Sequence, residues 1–385
     1  MLEHEAKSLL RDVGIATPTG ELRTRADADA RWTGAFPVAV KAQVRSGGRG
    51  KRGGVQRADD ADAVVAAVRT LLATSFDGEV PDAVLLEPWL PHLRELYLSL
   101  VVDGRADGYA LLYAPQGGVD VEDGPPPARY AFGEPGNFRA HALRAALEPI
   151  ESDYRVREKV IALAERLVAT ADSRDCTTIE INPLAVQDDG SLLALDAKVA
   201  RDEWAAFRDA GIRALVDDER ARADPLLQAC LAMGHMYVRL DGDIGLISGG
   251  AGMTMGAMDM IAQQGGRPAC FLDASPGPTS TRGYRPALAM LDADPHVKVI
   301  LVSVFGGGTQ MQRVANAMKD LMAERTSGKP VVFRLDGTHV DQVPAILATF
   351  GAHNHDTLET AVAEAIALAR SGTHDVIDSA RTATA

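Results

Sequence analysis

Residues 177–199 read TTIEINPLAVQDDGSLLALDAKV. Two runs rich in Ile, Leu and Val flank Gln187-Asp188-Asp189-Gly190, the pattern of a β-hairpin with a polar, glycine-containing turn. Side chains alternate faces along a strand, so Glu180 and Asn182 share one side of the first run, and Asp196 and Lys198 one side of the second. The midpoint between Asn182 and Asp196 is Asp189, inside the turn. Folding about that turn sets Asn182 and Asp196 opposite each other or within one residue of it. An amide oxygen, two carboxylates and an ammonium then lie on neighbouring strands that are otherwise apolar. Mg²⁺ takes hard oxygen ligands, with phosphate oxygens and water completing what the protein supplies. The hairpin reads either as a Mg-nucleotide site or as a solvated face with an ordinary ion pair, and the rest of the chain decides between them.

At 385 residues the chain is long enough for two or three domains. With 46% hydrophobic and 24% charged residues it has the composition of an ordinary soluble globular protein. No apolar run reaches the length of a membrane span, and the opening Met-Leu-Glu-His-Glu-Ala-Lys lacks signal-peptide character. A net charge of −13 opposes binding to a nucleic-acid backbone or an anionic membrane, so neither is an expected partner. Cys176, Cys230 and Cys270 are far apart and form no CxxC, which suggests core residues in a reducing cytoplasm rather than a disulfide framework or a zinc site. The nine histidines are scattered, with none in a glycine loop or at a telling spacing from a cysteine or serine.

Outward from the hairpin, residues 154–171 predict the long helix that feeds it. Residues 3–13 predict an amphipathic helix with Ala6, Leu9, Leu10 and Val13 on its apolar face. Residues 36–44 are a short apolar strand with Lys41 set into it. Residues 60–74 read as a helix, followed by strands ending at Glu87 and starting at Glu95. The Pro- and Gly-rich residues 123–137 read as a surface loop. Near 217–225 the composition turns charged and irregular, which marks a boundary between a domain over 1–225 and another over 238–385. Beyond it, strand, glycine loop and helix repeat: strands 244–248, 297–304 and 331–335, and helices 253–264, 309–325 and 358–370. The first of those helices turns Met255, Met258, Ile261 and Ala262 inward. Strands alternating with helices predict a doubly wound parallel α/β sheet, whose ligands bind at the carboxyl ends of the strands. Residues 381–385 are expected to be frayed.

Three stretches could carry chemistry. Lys41 sits in an apolar strand, where an unpaired charge costs several kcal/mol, and it precedes a loop, residues 45–54, with five glycines and four basic residues. Glycines let a backbone approach a phosphate and aim N–H groups at it, and Arg49 and Lys51 add charge; a Walker A loop is absent. Glu87 and Glu95, at strand ends, could accept hydrogen bonds from a base or ribose, although their positions favour plain solvation. The loops 249–252 and 306–308 each join a strand to a helix, where helix N-terminal N–H groups hold an anion. Gly250-x-Gly252-x-x-x-Gly256 is one residue off the dinucleotide fingerprint, and no acidic residue follows at the distance that holds a ribose, which argues against NAD.

Taken together these stretches resemble the β subunit of succinyl-CoA synthetase, of the ADP-forming acid–CoA ligases. The likeness runs from HEAKSLL (4–10) through VAVKAQVRSGGRGKRGGV (38–55), LLEPWLPHLRELYLSLVVD (85–103), IEINPLAV (179–186) and LALDAKV (193–199) to GDIGLISGGAGMTMGAMDMI (242–261), FLD (271–273) and VKVILVSVFGG (297–307). The resemblance implies an N-terminal ATP-grasp domain followed by a flavodoxin-like CoA-ligase domain. It implies nucleotide contacts at Lys41, Gly48, Arg49, Gly50, Glu87, Leu90 (through its backbone) and Glu95, and Mg²⁺ ligands at Asn182 and Asp196. Glu180 would support a phosphohistidine that belongs to a partner α subunit, which also carries the CoA site. The implied reaction is carboxylate + CoA + ATP giving acyl-CoA + ADP + phosphate, with GTP an alternative to ATP. The departures cluster at one end. Gly249 stands where the family has the asparagine of V-N-G-A-G, residues 271–278 (FLDASPGP) replace F-L-D-V-G-G-G-A, and Gly308-Thr309 replace Ile-Val after F-G-G. These positions, with Gly307, line the acid end, so an acid other than succinate is the expectation. A nucleotide-binding, regulatory paralogue that does not turn over is the alternative.

Overall fold

The computed structural model describes residues 1–45, 47–118, 124–274 and 281–371. It divides into two compact units, Met1–Asp217 and Asp218–Ala385.

The first unit opens with α1 (Glu3–Asp12), then β1 (Glu21–Thr24), β2 (Val38–Ala42), β3 (Val55–Ala58), α2 (Ala61–Ala73) and β4 (Ala83–Pro88). These strands form an antiparallel sheet in the order β1-β4-β2-β3. Asp60 caps α2 by accepting the Ala63 N–H. The apolar stripe of α2, Val64, Ala67, Val68 and Leu71, then packs on Val38, Val40, Val84 and Leu86 of the sheet.

A second antiparallel sheet follows: β5 (Arg94–Asp103), β6 (Gly108–Ala114), β7 (Ala128–Gly133), then α3 (Ala140–Leu147), α4 (Tyr154–Arg174), β8 (Cys176–Val186), β9 (Leu192–Ala194) and β10 (Ala197–Arg201), before α5 (Ala210–Arg222). The order is β10-β8-β5-β6-β7, with β9 beside β8. Leucines and isoleucines of β5 and β8 pack on Val160, Ile161, Ala164 and Leu167 of α4, and Ala6 and Leu10 of α1 join the same core.

Two expectations change here. The stretch read as a loop over 123–137 holds strand β7, because Tyr130 and Phe132 alternate with exposed Arg129 and Ala131 and form an aromatic group with Phe138; residues 119–123 lie outside the described residues. The charged stretch 217–225 is not irregular: α5 runs through it to Arg222, with an Asp218–Arg222 pair one turn apart. The two units part within that helix, between Asp217 and Asp218.

The second unit contains α6 (Pro225–Ala232), β11 (Met236–Arg239), β12 (Ile244–Ser248), α7 (Ala251–Gln263), β13 (Cys270–Asp273), α8 (Thr281–Ala293), β14 (Val299–Gly306), α9 (Met311–Glu324), β15 (Val331–Gly337), α10 (Val343–Ala348) and α11 (Leu358–Ser371). Strand order is β11-β13-β12-β14-β15, parallel except for the antiparallel edge strand β11. Helices cover both faces: α8, α9 and α10 pack over Ile300 and Val302 on one side, α7 and α11 over Val299 and Leu301 on the other. This is the doubly wound sheet the strand–helix alternation predicts. Helix α7 is rotated from the expectation. It buries Thr254, Ala257 and Ile261, while Met255 is 53% exposed, since α7 packs on the alanines of α11 and small residues allow that approach. The frayed terminus expected at 381–385 lies outside the described residues.

Candidate active site

The hairpin folds about its turn as its midpoint implies. Ala197 pairs with Ile181 and Lys198 with Glu180, and beyond the gap Ala194 pairs with Leu184, so the same register carries Asp196 opposite Asn182. On β8, Ile179 and Ile181 enter the core while Glu180 and Asn182 stay half-buried on the other face. Asp196 lies between β9 and β10 with a third of its side chain exposed.

Around Asp196 the two sheets and α1 are joined by six charged side chains. Lys41, on β2, places Nζ 3.0 Å from Glu3 Oε1 and 2.8 Å from Glu87 Oε2, and donates to the Leu195 carbonyl at 2.6 Å. Lys7 reaches the same two carboxylates at 2.8 and 2.6 Å. Arg49 donates to Glu3 through Nη2, which also lies 3.0 Å from each Asp196 oxygen, while Nη1 donates to the Ala42 carbonyl at 2.7 Å. Three bases thus alternate with three acids, and all but Asp196 are buried. A charge buried alone would be prohibitive, and pairing at these distances is what permits it. Burial pushes the Glu3 carboxyl up, but Lys41, Arg49 and Lys7 outweigh it and hold the group well below the usual range. Burial works against the Lys41 charge too, and Glu3, Glu87 and Asp196 reverse it, leaving Lys41 more basic than usual. Asp196 moves the other way: burial and then Glu3 raise it, against Arg49 and Lys41.

This overturns the expectation that Glu87 is a plainly solvated strand end: it is 2% exposed and paired twice. Glu95 is different, with a side chain 37% exposed and His92 Nε2 at 2.9 Å. The other His92 nitrogen lies 3.1 Å from the Leu90 carbonyl. Gly118 links this group to the hairpin. Its N–H donates to Asn182 Oδ1 at 2.7 Å and its carbonyl accepts from Asn182 Nδ2 at 3.2 Å. A Cβ there would lie 2.4 Å from Glu95 Oε2, and its φ is +92°, so the position requires glycine. Glu180 accepts a hydrogen bond from Tyr97 at 3.3 Å. Gly48 has a φ of +68° and open space where a Cβ would be; the Gly50 carbonyl closes the turn by accepting from Gly53.

Gly249, Gly307, Gly308 and Thr309 belong to the second unit. They follow β12 and β14, adjacent parallel strands, at the point where strand order reverses, which is where open α/β sheets bind ligands. Cβ atoms at Gly307 and Gly308 would meet nothing within 4 Å. The anion at the N-terminus of α7 is the protein's own: the Gly250 N–H donates to Asp273 Oδ1 at 2.7 Å. Behind the loops, Ser248 and Ser303 pair in register, both fully buried, and neither hydroxyl has a hydrogen-bond partner among the described residues. The replaced segment 271–278 is described only through Ala274; residues 275–278 lie outside the described residues.

Sequence reading missed Glu3, Lys7 and Gly118. The first two were legible in principle, because residues 3, 6, 7 and 10 form one helical face and two of them are charged. Gly118 depends on contacts between strands far apart in the chain.

Residues 1–186 match the ATP-grasp domain family and residues 247–369 the CoA-ligase family. A succinate–CoA ligase (ADP-forming) subunit beta from Rubrobacter xylanophilus is 33% identical over 97% of this chain and 100% of its own length. One from Desulfurococcus amylolyticus is 34% identical over 96% and 99%. The chain belongs to the succinate–CoA ligase (ADP-forming) β-subunit family. It is a subunit of an ADP-forming acid–CoA ligase, with its ATP-grasp domain first and its CoA-ligase domain second. A structure of ATP citrate lyase from Methanothrix soehngenii in complex with citrate and coenzyme A shares the ligase-subunit fold, at a TM-score of 0.69 and 17% identity over 95% of this chain and 99% of that one. Among the described residues of this β-type subunit, no helix is long and apolar enough to cross a membrane.

Proposed function

We propose that the first unit binds Mg-ATP, with GTP an alternative, and passes the terminal phosphoryl group to a histidine of a partner α subunit, for acyl-CoA formation from a small carboxylic acid and CoA. The observation that supports this most is the register that sets Asn182 opposite Asp196 beside Lys41 and Arg49. An amide oxygen and a carboxylate are the hard donors Mg²⁺ prefers, and Asp196 keeps a third of its side chain accessible. Asn182 and Asp196 would hold the ion, which when bound offsets charge on the transferring phosphoryl group.

The chain's own residues do the remainder. Lys41 and Arg49 would bind the phosphates, with Arg49 Nη2 exchanging Asp196 for a phosphate oxygen while Glu3 and the Ala42 carbonyl keep their hold. Gly48 and Gly50 leave the backbone open to approach. Glu87, Glu95 and the Leu90 backbone would contact base and ribose, which asks His92 to release Leu90 and Glu95. Glu180, half-buried beside Tyr97, would orient the incoming imidazole. In the second unit Gly249, Gly307, Gly308 and Thr309 would line the acid. The open space beside Gly307 and Gly308, which lack side chains, favours an acid other than succinate, bulkier or differently substituted.

The test purifies the chain with its partner and supplies Mg²⁺ and γ-labelled ATP, then CoA and a panel of dicarboxylic and substituted acids. The partner's histidine should be labelled, and CoA with the right acid should release the label. Asp196→Ala should lower labelling about 100-fold, the scale of losing one aligned electrostatic contact, with melting behaviour nearly unchanged because Asp196 is the part-exposed member of the network and burial opposes its charge. A partner that is never labelled defeats the catalytic reading and leaves a nucleotide-binding, regulatory subunit. Undiminished labelling in Asp196→Ala defeats the metal site.

A further inference from the structure

Two histidines and a glutamate of the second unit bring three ligand atoms together. Asn354 bridges in parallel to Phe333 of β15. Its side chain is pinned twice to that strand: Leu335 N–H donates to Oδ1 at 2.8 Å, and Nδ2 donates to the Leu335 carbonyl at 2.9 Å. Alternate side chains of an extended segment share a face, so with Asn354 turned to β15, His353 and His355 both turn the other way. Their rings lie 4.6 Å apart and their Nε2 atoms 3.2 Å apart. Glu364 of α11 places Oε2 3.1 Å from His353 Nε2 and in direct contact with His355 Nε2.

Two Nε2 atoms at 3.2 Å leave no room for a proton on each, so at least one presents a bare lone pair. The Thr360 hydroxyl lies 3.1 Å from the Thr357 carbonyl, 3.3 Å from the Thr357 hydroxyl and 3.1 Å from His355 Nδ1, so its oxygen is placed to accept from that nitrogen. With its proton on Nδ1, His355 turns a bare Nε2 toward the Glu364 carboxylate, and that is the tautomer in which the ring is a metal ligand. Two such lone pairs repel unless a cation, a proton or a metal ion, lies between them. A ring nitrogen fixed by a hydrogen bond at the opposite nitrogen is the arrangement metal-binding histidines use. Tetrahedral Zn²⁺, with bonds of about 2.0–2.1 Å, separates neighbouring ligand atoms by about 3.3 Å, close to two of the three separations here. His353 is 65% exposed on its side chain, which gives an ion access, while His355 is nearly covered and anchors it.

We propose that His353, His355 and Glu364 form a Zn²⁺ site on the CoA-ligase unit, with the remaining coordination position open to water. Two imidazoles and one carboxylate select zinc and its neighbours in the divalent series over Mg²⁺, which favours the all-oxygen pair in the first unit. Bound zinc would tie the 353–355 segment to the second turn of α11.

The test uses the untagged full chain in buffer with millimolar Mg²⁺. Zn²⁺ is titrated by calorimetry against a competing chelator, alongside His353→Ala/His355→Ala and Glu364→Gln, each checked for fold by circular dichroism. Wild type should take up one Zn²⁺ per chain and melt higher with it. The double variant should bind at least about tenfold more weakly, Glu364→Gln should also weaken binding, and Co²⁺ should give a tetrahedral visible spectrum in wild type alone. Equal zinc affinity in wild type and double variant overturns the proposal. So does a wild-type chain that takes up no zinc, which would mean that a shared proton occupies the cluster.

Discussion

Glu3 is one residue into α1, yet it holds Lys7, Lys41 and Arg49 at once. Removing one partner from a buried ionic group leaves the others uncompensated, which costs about 3 kcal/mol or more. Glu3→Gln should therefore destabilise the first unit by about 3 kcal/mol in denaturant unfolding, and a change under about 0.5 kcal/mol would mean the network contributes little. The sign with pH follows from the depressed Glu3 carboxyl. A depressed acid stabilises the folded state above its unfolded value, ordinarily 4.5 for Glu, and that contribution is lost as pH falls through the folded value. Asp196, raised by burial, acts oppositely, since its ionisation opposes folding as pH rises. Acid titration of wild-type stability should thus slope more steeply below the ordinary Glu range than that of Glu3→Gln.

At the scale of elements, the pairing of β14 with β15 ends at Gly306 and Gly337. The φ of Gly337 is +135°, and a Cβ there would lie 2.2 Å from the Gly306 carbonyl oxygen. Gly337→Ala combines a backbone conformation that side chains avoid with a clash against main chain, so it should cost about 3 kcal/mol. Calorimetric unfolding checks this, with a loss confined to the transition of the second unit. Helix α7 shows the limit of periodicity as a guide to elements. Methionines at 253, 255, 258 and 260 surround it, so its pattern names no single inward face, and the alanines of α11 select Ala257 and Thr254 instead. Strand β7 shows the opposite case, with a clear Tyr130/Phe132 alternation set among prolines and glycines that hid it.

For the molecule as a whole, the three cysteines report on packing in both units. Cys176, Cys230 and Cys270 are each at most 1% exposed, and burial pushes their thiols up to about 11, 11 and 12. At pH 8 a thiol-specific disulfide reagent should find no fast-reacting group in the native chain and three in denaturant. A thiol that reacts within seconds under native conditions would place that cysteine outside the core described for it.

The sequence by itself determined the helices over 3–13, 60–74 and 154–171, the doubly wound second domain, the hairpin register and, through resemblance, the ligase family. Each of these rests on local signals: alternation, helical spacing, turn residues and contiguous motifs. Only the tertiary structure decided which charges are buried together. Glu3 and Lys7 come from one end of the first unit, Lys41 and Arg49 from β2 and its loop, Glu87 from β4 and Asp196 from the hairpin. A charged side chain looks the same in sequence whether solvated or paired, and the difference arises when distant segments exclude water from it. The zinc cluster was hidden for the same reason, because the i, i+2 spacing of His353 and His355 acquires meaning only once β15 pins Asn354 and α11 brings Glu364 alongside.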